Sequence, residues 1–213
     1  MVQLYGKEWT RAELARHIGL ESQLGGVRLG ELADGNRRGL RTAEIDTGSG
    51  LAYTVLLDRG MDIGVARYKG ASLVWESPTG PVHPAYFEEE GRGWLRTFHG
   101  GLVVTCGMTT AGAAASEDGE DLGLHGRISH TPATNVWADG AWRGDEYEMW
   151  VRGKMRQAVV FGENLLMDRR VWSRLGEPRL WIRDVVTNEG TQTTPHMLLY
   201  HINLGFPLLA EGT

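Results

Sequence analysis

Histidine, arginine and glycine crowd together between residues 93 and 133. His99, His125 and His130, three of the chain's seven histidines, lie there beside Arg96 and Arg127. His99 and His125 are flanked by Gly100, Gly101 and Gly126, and glycine lets backbone and ligand approach closely. Imidazole titrates near neutral pH and serves as a general acid or base. A guanidinium holds sugar hydroxyls or a carboxylate. A packed core does not need that combination. A pocket for a polar small molecule does, and this stretch is expected to be its centre.

A second group lies near the C-terminus. In a strand, residues two apart share a face, so His201 and Asn203 point one way and Tyr200, Ile202 and Leu204 the other. Unpartnered burial of His201 and Asn203 would cost roughly 2–7 kcal/mol each. They are either hydrogen-bonded to neighbours or line a pocket, and the pocket is the expectation. Arg127 shares a face with His125 if that segment is a strand. Whether Arg127 holds a ligand or a structural ion pair stays open. Asp58 and Asp62 bracket Arg59 and Gly60; they bind a cation or a hydroxyl, or they cap backbone amides in a turn. The histidine spacings lack the HxH, HxxxH and HExxH patterns of metal sites, so neither a metal nor another cofactor is expected. Nucleophile-elbow, P-loop and dinucleotide-binding patterns are absent too.

These residues must be positioned by strands. Thirty glycines are scattered between short apolar runs, and eight tryptophans add β-forming residues that also line sugar sites. Strands are expected at 39–47, 51–57, 63–68, 72–75, 102–108, 135–138, 147–152, 155–161, 165–175, 180–187 and 197–204. Turns fall at Asp139–Gly140, Gly153–Lys154, 176–178 and 188–190. One short N-terminal helix is expected at 10–19: Thr10 and Glu13 form a capping box, and Gly19 is a stop. The 76–98 segment, with Pro78, Pro81 and Pro84, is too long for a plain connector. The 110–121 loop is the most mobile candidate. The pattern is all-β, one sandwich domain over 1–213.

Composition removes several classes. The net charge is −5 and there is no basic run, so no nucleic-acid partner is expected. No apolar run reaches ~18 residues, so no membrane partner is expected either. The lone Cys106 excludes an internal disulfide and fits a reducing cytoplasm. It sits in an apolar run and reads as a buried thiol. The chain stops directly after an apolar strand, which suggests that more sheet follows beyond Thr213.

The motifs together bear a family resemblance. The strings 58–64, 96–102, 105–107, 124–133 and 199–208 resemble the aldose 1-epimerase-like DUF4432 group, related to galactose mutarotase. The resemblance implies a galactose-mutarotase-like β-supersandwich, here incomplete at the C-terminus, with a sugar-binding cleft on one sheet. It implies that His125, in a motif similar to the mutarotase Leu-His-Gly-Gly, and His201 are catalytic. Arg127 stands where that motif has its last glycine. Asn203 lies two residues after His201, not the four of the mutarotase pattern. The implied reaction is acid–base interconversion of sugar anomers, with a glutamate base from a later strand. Arg96, His99, Arg127 and Asn203 are expected to bind substrate. A non-catalytic sugar-binding module and a metal-assisted keto-sugar isomerase are the alternatives. Expected partners are a small-molecule sugar and a second copy of the chain in a homodimer.

Overall fold

Period-two alternation builds this molecule. The computed structural model describes residues 1–117 and 119–212. Among these residues the strands are β1 (Val2–Leu4), β2 (Lys7–Trp9), β3 (Gly26–Glu31), β4 (Arg41–Asp46), β5 (Leu51–Leu56), β6 (Asp62–Tyr68), β7 (Ala71–Ser72), β8 (Val103–Met108), β9 (Ala115–Glu117), β10 (Glu120–Leu122), β11 (Thr134–Arg143), β12 (Glu146–Ala158), β13 (Asn164–Arg174), β14 (Trp181–Asn188) and β15 (Met197–Ile202). One sheet has the order β15-β8-β6-β5-β4-β3, with β7 on β6, and a second runs β11-β12-β13-β14. The β1–β2 and β9–β10 pairs stand apart. Asp118, within the loop expected at 110–121, lies outside the described residues.

The core forms between the two sheets. Met149, Val151 and Met155 of β12 and Leu165, Met167 and Val171 of β13 meet Ala43, Ile45, Tyr53, Val55 and Ile63 of the first sheet. Full burial of such a side chain contributes about 1.5–3 kcal/mol. In β13 buried and half-buried positions alternate without a break. Arg169 falls on the buried row of β13, between Met167 and Val171, and is fully enclosed. Its guanidinium donates to Asp184 at 2.8 Å, the Gly60 carbonyl at 2.9 Å, the Thr105 hydroxyl at 2.9 Å and Asp62 at 3.2 Å. This network ties the second sheet to the first.

Several elements differ from expectation. Asp139 and Gly140 lie inside β11, and Gly153 and Lys154 inside β12. Glycine at 153 marks close packing rather than a turn: a Cβ there would sit 2.6 Å from the Met61 sulfur. The helix spans only Arg11–Leu14, although its capping box is intact, with Glu13 N donating to the Thr10 hydroxyl and Thr10 N to the Glu13 carboxylate. Beyond Leu14 the chain closes into a turn, where the amides of His17 and Ile18 both donate to the Leu14 carbonyl. Leu14 is buried in the core. His17 is exposed and lies edge-on to Trp9.

On the other face of the first sheet, Trp94, Val104 and Cys106 form a second cluster with Phe87, Phe98 and Leu124. The segments that carry Phe87, Trp94, Phe98, Ala111 and Leu124 therefore cover the β8 and β15 half of that face. Cys106 is fully buried there, and burial pushes its thiol up to about 12. Ellman's reagent at pH 8 should therefore leave the native protein unlabelled and titrate one thiol in denaturant. Rapid native labelling would contradict this packing.

Candidate active site

β15 is the edge strand of the first sheet, and His201 pairs with Val104 of β8. Tyr200 points toward the second sheet, where its hydroxyl donates to Asp184 at 2.5 Å. His201 therefore points to the loop-covered face, as alternation requires. It meets the Phe98 ring at 5.5 Å and the His125 ring at 5.8 Å, both edge to face. Trp94 lies 4.8 Å from the His125 ring and stacks on Phe98 at 4.7 Å. The result is a pair of imidazoles against an aromatic wall.

His125 reaches this position through its backbone. Residues 123–126 are a turn, not a strand, and His125 adopts φ +60° beside Gly126 at φ +70°. That conformation is strained for a residue with a Cβ, and such strain clusters at functional sites. Four contacts hold it: His125 N donates to the Gly112 carbonyl, Gly107 N to the His125 carbonyl, Arg127 N to the Gly107 carbonyl, and Gly112 N to His125 Nδ1. Gly126 packs so tightly that a Cβ would lie 2.4 Å from the Gly107 oxygen. Because Nδ1 accepts a hydrogen bond, the neutral ring carries its proton on Nε2. Burial, and then the neighbouring His201, lowers the His125 pKa. His201 Nδ1 is sealed from solvent without a partner. The pair thus offers one N–H donor and one unsatisfied imidazole nitrogen, and among the described residues no carboxylate hydrogen-bonds to either ring.

The other expected site residues are dispersed. Arg96 is exposed and pairs with Glu88 at 3.0 Å. Arg127 is half-buried and bound to Glu89, so the structural ion pair is the arrangement found. It does not share a face with His125, because the segment is not a strand. Asn203 donates to the carbonyls of Gly101 and His201, which anchors the end of β15 to the 100–101 turn. His99 is buried away from the pair and faces a separate cavity. His130 is also structural. Its Nε2 accepts from Arg59 at 3.0 Å, its Nδ1 lies 3.1 Å from the Ser129 hydroxyl, and Phe87 stacks on it at 3.9 Å.

The 58–62 turn is a staple. Asp58 accepts from the Arg41 backbone at 2.7 Å and pairs with its guanidinium, and Asp62 accepts from Thr105 N at 2.9 Å. The amide-capping reading therefore holds, with ion pairs added. Between them the fully buried Arg59 donates to the carbonyls of Ser129, Val82 and Thr97. Nothing in the sequence reading singled out Arg59 or Arg169. For Arg169 the signal was available, since alternation through Leu165, Met167, Val171 and Ser173 puts it in the buried row.

The DUF4432 model, a domain of unknown function, matches residues 37–213. The chain belongs to this family. A Klebsiella pneumoniae crystal structure, provisionally described as an aldose 1-epimerase, superposes with a TM-score of 0.83 at 27% identity, covering 97% of this chain and 57% of that one. The chain thus spans somewhat over half the length of that relative. A galactose 1-epimerase from Lactobacillus acidophilus gives a TM-score of 0.42 at 16% identity over 70% of this chain and 44% of that one. No match was found among curated proteins. The expected aldose-epimerase-like β-fold is thus the fold of this DUF4432 chain. Its described residues include no helix long and apolar enough to cross a membrane, and no cluster of three or more metal-ligating side chains.

Two histidines of the DUF4432 chain are buried neutral. Burial, and then the Arg59 charge, lowers the pKa of both His99 and His130. The unfolded chain takes up protons below about pH 6.5 that the folded chain refuses. Stability is therefore full above that pH and falls as pH drops, by close to 1.4 kcal/mol per unit for each histidine well below 6.5. Urea midpoints measured from pH 7.5 to 5 should decline accordingly. A flat profile would show that the two rings are protonated in the fold.

Proposed function

We propose that the chain carries the imidazole pair of an aldose 1-epimerase-like enzyme acting on a free sugar. The observation that carries this reading is the 5.8 Å pairing of His125 and His201 beside Phe98 and Trp94. An aromatic face suits the apolar face of a pyranose, and the two rings suit its ring oxygen and anomeric hydroxyl. The 27% identity to the Klebsiella protein over nearly the whole chain supports the same class.

In this mechanism His201, as imidazolium, gives its proton to the ring oxygen. The proton of the anomeric hydroxyl goes to the glutamate base that the family resemblance implies, since among the described residues no carboxylate hydrogen-bonds to either ring. The bond between C1 and the ring oxygen breaks, and an aldehyde forms. C1 rotates, the ring hydroxyl attacks the other face, and both protons return. His125 Nε2–H polarises the ring oxygen throughout. No electron is gained or lost, so the step needs no redox cofactor. Each positioned proton transfer contributes ~10²–10⁴-fold.

The test is anomer exchange by NMR, following the α and β C1 protons over a panel of aldoses. Exchange above the uncatalysed rate supports the proposal. Saturable shifts without exchange would make the protein a binding module and remove the proton-transfer roles.

A further inference from the structure

We propose that His99 serves a second ligand site, separate from the imidazole pair, that takes a small uncharged polyol or sugar. The site is a cavity of about 190 Å³ over the middle strands of the first sheet. At ~30 Å³ per water it has room for about six waters. That suits a ligand no larger than a monosaccharide.

Strand register builds its base. Thr42 of β4 pairs with Leu56 of β5, and Glu44 pairs with Thr54. Cross-strand partners share a face, so these four side chains form one patch. Gly64 and Gly101 floor the cavity with backbone: a Cβ at Gly101 would sit 2.9 Å from the Gly64 Cα. His99 and Pro81 close it from the 75–101 segment, and Glu76 and Arg37 stand at its edge.

His99 is 3% exposed, and neither of its ring nitrogens has a partner. Native proteins rarely leave both nitrogens of a buried imidazole unpaired. Burial beside Arg59 holds the ring neutral, so it presents one donor and one acceptor. The hydroxyls of Thr42 and Thr54 and the Glu76 carboxylate line the same cavity. The imidazole and the two hydroxyls both donate and accept, as alcohol groups do, and the carboxylate accepts. Two carboxylates and a neutral imidazole disfavour an anion. Arg37 and the absence of a third acidic or thiol ligand disfavour a metal ion.

The site is distinct from the pair. His201 sits in register with Val104, and Leu56 with Asp62 on the neighbouring strand. Leu56, on the cavity's far side, is three strand spacings from His201, roughly 14 Å at ~4.8 Å each. Phe98 faces His201, while the next residue, His99, faces the cavity.

The test is long-range proton–nitrogen NMR of the imidazoles in protein labelled with ¹⁵N-histidine. The probes are xylitol, D-galactose and inorganic phosphate. Xylitol or D-galactose should shift both His99 nitrogens saturably, and phosphate should not. Thr54→Val should abolish the His99 shift, and His125→Ala should leave it intact. If Thr54→Val melts early, Glu76→Gln, an exposed loop change, should weaken the shift at least several-fold. His99 signals indifferent to both polyols, or responding to phosphate alone, would overturn the proposal. So would loss of the His99 response in His125→Ala, since the two sites would then be one. Failure of anomer exchange leaves this readout untouched.

Discussion

His201→Ala should slow the proposed anomer exchange by ~10²–10⁴-fold, the contribution of one positioned proton transfer. His201 is the side chain of β15 that alternation sends to the loop-covered face, and its Nδ1 is buried without a partner. Removing the ring deletes the proposed acid and leaves the aromatic wall of Phe98 and Trp94 in place. Sugar affinity should therefore change much less than rate. His125→Ala acts differently. Its ring also accepts a hydrogen bond from Gly112 N, so its loss frees the 110–113 loop as well as the polarising N–H. His125→Gln, able to donate but not to titrate, should recover part of the rate, and His201→Gln should recover none. Single-turnover rates and NMR titrations on the four variants separate these effects. Equal rate and affinity losses in His201→Ala would count against proton transfer and for simple hydrogen bonding to the sugar.

Arg169→Met costs about 3–5 kcal/mol of stability, the penalty for breaking a buried ion pair from one side. Against a typical total of ~5–15 kcal/mol this is a large loss. The methionine fits the aliphatic row of Met167 and Val171 but leaves Asp62 and Asp184 facing a vacated site. Burial already pushes Asp62 up to about 6 with Arg169 beside it. A carboxyl raised above its unfolded value contributes stability that is full below about pH 3.9 and is lost as pH rises through the folded value. The deficit of Arg169→Met should therefore be larger at pH 7.5 than at pH 5. Adding Asp62→Asn should recover part of it. Urea unfolding at the two pH values reads both effects. A loss below about 1 kcal/mol at pH 7.5, or the opposite pH trend, would show that the network is not what joins the sheets.

Much of this was legible in the residues. Alternation located β6, β13 and β14 within a residue or two, because half-buried strands must place apolar side chains on one face, and the β-forming or apolar runs at 51–57 and 102–108 located β5 and β8, the latter buried at every position. The same rule assigned the facing of His201 correctly. Glycine misled where it serves packing: Gly140 and Gly153 let Tyr147 and Met61 approach mid-strand, and sequence alone reads them as turns. The parity argument also failed for Arg127, because His125 sits at positive φ and the chain turns there.

By itself, then, the sequence determined the all-β class and the buried thiol, since local periodicity encodes these, and its motifs' resemblance to known proteins pointed to the family and to the His125–His201 combination. Only the tertiary structure decided which polar residues were partners of one another. It spent Arg127 on Glu89, Arg96 on Glu88 and Arg59 on three carbonyls, and it turned Phe98 toward His201 and His99 toward a separate cavity. Ion pairs and hydrogen bonds join residues tens to more than a hundred positions apart, as Arg169 and Asp62 are. Their energies depend on distance and burial in the folded chain, which no spacing along the sequence specifies.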